Sequence, residues 1–517
     1  MNYFINFGMP ASKSGIEHAE LKRKSLFDKH KEPYCFLLRD WSRDLHTNTA
    51  NAGITDEHLI NMFDYYQNTC HVDQAQLLPE EVDLGLKDLK YDDEYKRNRV
   101  LVSRADGRLV ARINYVRETR QVVSTELFDG VENLYQVAFY DSRGFKSLIQ
   151  WYTPDNKIGN EEWLTLDGRP VVKAFNKKGE DGKIKQTGWI LTDRKGKRFQ
   201  FDTIDAFFEH FINDVNESGE NVFILDRSLL ADEALIHLDK PAYTVMHLHN
   251  SHAGDAQRPM DSVMNNNYEY ALVNGAKYSA FVSATKKQAV DVTKRFPYIT
   301  KSFDIPVGIV PDDVLNRQRI LSKNRIFGKV IAVARIAPEK NLDNLVRAIA
   351  IVHKQTPEVT LDLYGYPDAT NNYAEKKKIE KTIKELSLED VVTFKGYTEN
   401  LESAYNTAQI FGLTSIMEGF DLSLLEAISH GVVGVTYDVN YVPNEIVEDG
   451  VNGYVTPYGD IKALAEKIQS LFADKDKMQQ MSTNAYESAK RYSEENVWHK
   501  WQNLLQDAEK TEGGVAK

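Results

Sequence analysis

The chain has 517 residues, 27% of them charged and 42% hydrophobic, which is ordinary for a soluble globular protein but too long for one core, so two or three domains are expected. A net charge of -12 excludes a general nucleic-acid binder while leaving room for a local basic groove. Two cysteines, Cys35 and Cys70, without metal-ligand spacing around them, exclude a disulfide framework and read as buried small apolar residues.

The first eight residues are apolar but too short and uncharged for a signal peptide, and no run approaches the roughly 20 apolar residues of a spanning helix. A cytoplasmic protein is expected, touching a membrane surface at most through partners or basic patches. Asn2 to Phe7 reads as a strand, Gly8 to Gly15 as a small-residue loop, and Ile16 to Phe27 as a helix with Ile16, Ala19, Leu26 and Phe27 on its apolar face. Together they make the first βα unit of a doubly wound domain. The loop is neither G-x-G-x-x-G nor a P-loop; its use is close backbone approach to a phosphate at the helix start.

From about Asn98 to Phe201 short β-prone runs alternate with turn signals: Asp106-Gly107, Asp129-Gly130, Ser142-Arg-Gly144, Asp155-Asn156, Asp167-Gly168, Asp181-Gly182 and Lys195-Gly196. Such pairs between alternating runs, as in Arg108 to Tyr115 and Leu134 to Tyr140, predict successive hairpins in an antiparallel sheet inserted into the first domain. The α/β texture then returns with strands at Asn221 to Asp226, Ala242 to His249 and Tyr278 to Ser283, a helix from Thr285, and a connection at Ile305-Pro-Val-Gly308. A second half starts near Asn324. Strands at Lys329 to Ala334, Val359 to Gly365, Val391 to Gly396 and Ile410 to Leu413 alternate with helices at Asn341 to Ala350 and Ser423 to His430. This predicts a second parallel sheet with helices on both faces. Ala463 to Phe472 and Glu494 to Ala508 read as closing helices, the last one crossing back with Val497, Trp498, Trp501 and Leu504 to brace the first domain.

The stretch from Thr414 to Gly431 carries the most chemistry. Seven residues lie between Glu418, in a strand-to-helix loop, and Glu426, near the helix start, where ligands of open α/β sheets and anions bind. Two acids beside a phosphate are explained by hydroxyls, because a carboxylate accepts two hydrogen bonds from vicinal hydroxyls of a ribose or a hexose. The plain alternative is a loop charge and a helix-dipole charge. Arg335-Ile-Ala-Pro-Glu-Lys340 follows a strand and puts two cations over a pyrophosphate, or else forms a solvated loop with an Arg335–Glu339 pair. His247, His249 and His252 cluster at a strand end without metal-site spacing; His249, where the strand ends, is the candidate at the sugar. Asn452-Gly-Tyr454 reads as scaffold. Gly365 and Gly396 either allow close contact with a nucleobase or are strand-end turns.

These features in combination resemble the retaining glycosyltransferases of the GT-B fold, glycosyltransferase family 4, through Arg335, Lys340, Glu418, Glu426, Gly396 and the Asn452-Gly-Tyr454 turn. The resemblance implies an α/β architecture: two doubly wound Rossmann-like domains facing a cleft, with the antiparallel sheet inserted in the N-terminal one. The domains would be 1–90 with 205–318, the insert 91–204, a nucleotide-sugar domain 319–490 and a C-terminal helix 491–517. It also implies that Arg335 and Lys340 hold the donor diphosphate, Glu426 the ribose hydroxyls and Glu418 the hexose hydroxyls. His249 matches the active-site histidine and Gly15 the loop facing the phosphates. Further donor contacts would come from Gly396, Tyr397, Gly419, Phe420, Asp421 and Leu422. Asp421 departs from the family, which usually has a second small glycine there.

Ser14 to Arg23, the insert and the His249 segment are similar more narrowly to bacterial poly(glycerol-phosphate) α-glucosyltransferases of wall teichoic acid, and to the serine-rich-adhesin glycosyltransferases of the accessory secretion system. The latter tend to carry His-Ala-Glu-His where this chain has His249-Asn-Ser-His252, which favours the teichoic-acid branch. The implied reaction moves glucose from UDP-glucose to a glycerol hydroxyl; the alternative moves N-acetylglucosamine or glucose to Ser or Thr of an adhesin. Neither a cofactor nor a metal is expected. The anionic polymer would meet Lys13, Lys22, Arg23 and Lys24, and the insert would join copies into a homo-oligomer. The absence of G-x-G-x-x-G with a following acid excludes a dinucleotide oxidoreductase, while a nucleotide-sugar epimerase of the same fold is a further alternative.

Overall fold

The computed structural model describes residues 1–179, 182–398 and 400–512. They fall into two compact units, one made of residues 1–17 and 32–244, the other of residues 18–31 and 245–517.

In the first unit, strand Asn2–Asn6 pairs in parallel with Tyr34–Leu38 on one side and Val222–Leu225 on the other. Leu59–Asn61 extends the sheet beyond Tyr34–Leu38. Each of the first three strands is buried along its whole length, as parallel strands covered on both faces must be, which is why they read as unbroken apolar runs. Between Leu59–Asn61 and Val222–Leu225 lies the insert. Ten strands from Lys90 to Phe201 form one antiparallel sheet in which every strand pairs with its neighbours in sequence. The expected turn signals fall between these strands, although Asp181 of the sixth lies outside the described residues. Gly107, Gly144, Gly168, Gly182 and Gly196 take the positive φ that the turns need. The turn between Leu109–Tyr115 and Val122–Phe128 had no such signal: Arg120 itself adopts φ +57° there.

A buried ion network ties the insert to its carrier. Arg143, in a hairpin turn, reaches Asp64 at 3.1 Å and Asp141 at 2.9 Å. Asp64 also bonds His46 at 2.8 Å, and His46 bonds Asp56 at 2.7 Å. Burial opposes charge on His46, but Asp64 and Asp56 outweigh it and hold the imidazolium above its ordinary pKa. His46, Asp64 and Asp141 lie close enough together to ligate a metal. Arg143 spends both carboxylates on a guanidinium, so the group is complete as an ion network.

In the second unit, Tyr243–Leu248 runs from the boundary and pairs in parallel with Ala280–Ser283, which pairs with Ser302–Asp304. A separate six-stranded parallel sheet has the order Val392–Gly396, Thr360–Tyr364, Lys329–Val333, Ile410–Leu413, Val433–Tyr437, Gly453–Thr456. Helices such as Leu342–His353 and Ile461–Ala473 bury Leu345, Val346, Ile349, Leu464 and Ile468 against it. Asn452 is scaffold: its amide donates to the carbonyl of Ile446 and the hydroxyl of Ser488.

The first helix, Gly15–His30, departs from its expected apolar face. Ile16 is only half-buried, and the buried side carries Glu17, Glu20 and Arg23 beside Ala19, Leu26 and Phe27. The charges are tolerated because partners distant in sequence meet them. Arg23 Nη1 lies 3.3 Å from His247 Nδ1, and its guanidinium sits 5.3 Å over the ring of Trp501. The last helix, Glu494–Glu512, packs Trp498 and Trp501 edge-on to Phe27 and stacks Trp498 on His30. Trp501→Ala removes both the packing against Phe27 and the face under Arg23. It should lower stability by about 3–5 kcal/mol, seen as a lowered urea midpoint; an unchanged midpoint would refute the bracing role.

Candidate functional site

The site is built where the strand Ile410–Leu413 ends. The Thr414 hydroxyl donates to the carbonyl of Asn341 (3.0 Å), and the Ile416 N–H donates to the carbonyl of Glu339 (2.8 Å). These bonds lace the loop 414–421 onto the turn Pro338–Lys340, which follows the strand Lys329–Val333. Lys340 Nζ is thereby held 2.6 Å from Glu418 Oε1. Glu418 is buried, at 6% exposure. Burial, with the Asp421 charge nearby, outweighs Lys340 and sets the Glu418 carboxyl above its ordinary pKa. Burial opposes the Lys340 ammonium too, but Glu418 and Asp421 more than offset it and raise its pKa.

Arg335 lies one turn earlier. Gly365, at φ +136°, lets the neighbouring strand end pass so close that a Cβ there would stand 1.9 Å from the Ala334 carbonyl oxygen. The backbone of Tyr364 and Tyr366 then bonds Ala334 and Ile336, and the segment carries Asp368 to Arg335. The Arg335 guanidinium bonds both Asp368 and Glu339, so the Arg335–Glu339 pair is formed. The guanidinium is 42% exposed, and ion pairs at that exposure are weak enough to exchange for a ligand.

Asp421, the residue out of family pattern, is the N-cap of the helix Leu422–Ser429. Its carboxylate accepts from the Leu424 N–H (2.8 Å) and the Ser423 hydroxyl (2.6 Å). Leu422 opens the helix, and Phe420 packs edge-on to Tyr492. Gly419 is held against the end of the histidine strand: a Cβ on it would lie 1.8 Å from the His249 carbonyl oxygen. The main chain of His249 and the Glu418–Gly419 loop are thus in direct contact. The His249 N–H donates to the Tyr268 hydroxyl, and its ring lies 4.2 Å from that of His247. His252 is fully buried, bonds the Pro259 carbonyl, and is pushed down to about 4 by burial and Arg295, so it is neutral scaffold.

Glu426 is the fifth residue of its helix. Its Oε1 pairs with Lys22 at 3.3 Å and its Oε2 accepts from the Tyr405 hydroxyl at 3.2 Å. Burial, then Glu426, raise the Tyr405 phenol well above its ordinary pKa, so it remains a donor. The pair faces a cavity of about 420 Å³ whose lining includes Lys22, Arg317, Asn400, Tyr405, Glu426 and His430. Gly396, at φ +75°, ends its strand with open space around it, and the half-exposed Tyr397 meets Tyr366 edge-on. Gly15 lies in the other unit, exposed at the first helix start. Beside it Ser14 and Glu17 form one arm of a capping box: Glu17 accepts from the Ser14 N–H (2.7 Å) and hydroxyl (2.5 Å), from Asn6 at 3.2 Å and from Arg227.

The reading of Lys13, Lys22, Arg23 and Lys24 as cations facing a polymer is corrected. Arg23 is 3% exposed and spent on His247 and Trp501, Lys22 lies on Glu426, Lys24 pairs with Asp28 at 2.7 Å, and the half-buried Lys13 donates to the Ala11 carbonyl at 3.5 Å. A helical row of basic residues does not disclose which of them have acidic partners 400 residues away. Tyr405 and Asp368 escaped notice because neither lies in a spaced motif.

Residues 316–488 match the family model of glycosyl transferases group 1 and form a domain of that group. The chain is 25% identical over 522 residues to the UDP-N-acetylglucosamine–peptide N-acetylglucosaminyltransferase GtfA subunit of Streptococcus gordonii, covering 98% of each. It is 26% identical over 528 residues to the poly(glycerol-phosphate) alpha-glucosyltransferase of Bacillus subtilis, covering 96% of this chain and 74% of that one. Among solved structures, it matches the pneumococcal O-GlcNAc transferase GtfA with UDP and GlcNAc at a TM-score of 0.77 and 23% identity over 98% of both chains. A Staphylococcus aureus TarM variant matches at 0.75 and 19% identity, over 97% of this chain and 99% of that one. The fold is therefore GT-B with an inserted antiparallel sheet, and the chain is homologous over nearly its whole length to glycosyltransferases of these two kinds.

Two outcomes test the local geometry. Gly419→Ala must displace the His249 backbone and should lower stability by more than about 3 kcal/mol, whereas Gly396→Ala should cost about 1–2 kcal/mol for its left-handed φ alone; thermal melts compare them. Although burial opposes charge on Glu17, Ser14 and Arg227 depress its carboxyl to about 2. Its contribution, roughly 3 kcal/mol, is therefore full above pH 4.5 and is lost as pH falls toward 2. Acid titration of wild type and Glu17→Gln should show two curves separated at neutral pH that converge in that window.

Proposed function

We propose that this glycosyltransferase moves glucose from UDP-glucose, with retention of configuration, to a glycerol hydroxyl of a poly(glycerol phosphate) chain. The observation that carries the donor half is the gathering of Arg335, Lys340, Glu418 and Glu426 at strand ends of one group 1 domain. Glu426 accepts the ribose hydroxyls and Glu418 the hexose hydroxyls. Arg335 exchanges Asp368 and Glu339 for the diphosphate, and Lys340 supplies the second positive charge. Both cations stabilise the nucleoside diphosphate as the bond to the sugar breaks, and its oxygen takes the proton of the incoming hydroxyl on the same face. In this reading side chains provide the charge and no metal is required. His249 lies beside the Glu418 loop and serves the sugar.

The acceptor half is supported by the Bacillus subtilis relative and by Ser251 in His249-Asn-Ser-His252. A second reading, transfer of N-acetylglucosamine from UDP-N-acetylglucosamine to Ser or Thr of a polypeptide, is favoured by the first-helix cations. They are engaged within the protein and offer a polyanion no groove there. The streptococcal relatives support the same reading. In either, the inserted sheet joins copies of the chain and keeps it on a long acceptor by multivalency.

One assay separates the two: purified enzyme, each UDP-sugar, and either poly(glycerol phosphate) or a serine-rich polypeptide. Transfer to the polypeptide alone overturns the first reading. Arg335→Ala should lower turnover about a hundredfold, the scale for losing one contact to the developing anion; wild-type turnover would remove its role.

A further inference from the structure

We infer that Lys22 is a positioning residue for the donor nucleotide: with Tyr405 it fixes the Glu426 carboxylate so that each oxygen keeps an acceptor position for a ribose hydroxyl. This rests on the donor reading above. An ionised carboxylate has about four acceptor positions, two on each oxygen. Here one partner occupies each oxygen, Lys22 at 3.3 Å on Oε1 and the Tyr405 hydroxyl at 3.2 Å on Oε2. Two positions are left, one per oxygen, and vicinal hydroxyls need one on each.

Both partners are themselves anchored. Tyr405 is 2% exposed, and Arg325 holds its carbonyl at 2.6 Å. Lys22 lies in the helix Gly15–His30, whose next residue, Arg23, is buried over Trp501, and its ammonium also reaches the Ile309 carbonyl at 3.5 Å. The main chain at Glu426 is fixed by the His430 ring, Nδ1 to the Glu426 carbonyl at 2.7 Å. The side chain of Glu426 is 37% exposed in the cavity, so without Lys22 it would have rotamers to lose when a ribose binds. Lys22 therefore does for the ribose subsite what Lys340 does for Glu418, from a position 404 residues away in sequence.

A lysine at this place could also act as a plain charge that attracts any nucleoside diphosphate. The two roles separate on the hydroxyls. Calorimetry would measure UDP and 2',3'-dideoxyuridine diphosphate on wild type, Lys22→Met and Lys22→Arg. Lys22→Met should weaken UDP about five- to tenfold, the scale of one ordinary hydrogen bond, and leave the dideoxy compound within about twofold. Lys22→Arg should retain most of the UDP affinity. In turnover, Lys22→Met should raise KM for the donor and leave kcat within about twofold. Equal weakening of both ligands would overturn positioning in favour of bare attraction. Unchanged or tighter UDP binding would show that Lys22 is irrelevant or in the way. If wild type binds neither ligand, the donor reading fails and this inference fails with it.

Discussion

A carboxylate buried as deeply as Glu418 is tolerated only beside a cation, and much of the site follows from the need to bring Lys340 to it. The two come from different βα connections, so the loops themselves must be tied. Thr414 and Ile416 do that through backbone carbonyls of the other turn, and Asn341 accepts φ +48° so that the chain can enter its helix directly after Lys340. Asp421 then starts the following helix, which sets where Glu426 stands. The absence of a side chain at 419 lets the same loop lie on the His249 backbone. Loss of Lys340 would undo this, because it would leave the buried Glu418 carboxylate without a counter-charge.

The remaining ions repeat the arrangement at higher exposure. Arg335 rests on Asp368 and Glu339, and Glu426 on Lys22 and Tyr405. Each group assigned to the donor in the proposed function thus has a resident counter-partner. On that proposal, a nucleoside diphosphate entering the site would re-partition contacts that already exist instead of meeting bare charges. The buried pair would keep its geometry through that exchange and the exposed ones would give way.

The sheets were legible because parallel strands buried on both faces must be apolar throughout, and the insert because tight hairpins need residues that accept positive φ. Arg120 shows the limit: it takes that conformation with no glycine, asparagine or aspartate to announce it. Glu418, Glu426, Arg335 and Lys340 were singled out by spacing within one half of the chain, and the structure brings Lys340 to Glu418. More distant partners were not. Glu17 meets Arg227 across 210 residues and Arg23 meets His247 across 224, and no local period records a contact of that span. The charged inner side of the first helix was missed for this reason, and so was the engagement of Lys22.

The ten-stranded insert has a consequence for how the chain folds. Every strand in it pairs with its sequence neighbour, so the sheet can zip from any one hairpin with only short loops to close. The carrier sheet around it is different: Asn2 aligns with Val222, a closure across the whole insert. Loop entropy for that closure falls if the intervening residues are already compact. An insert that formed first would act as a staple bringing the two ends of the carrier within reach, so the topology favours sequence-local assembly before the long-range parallel pairing.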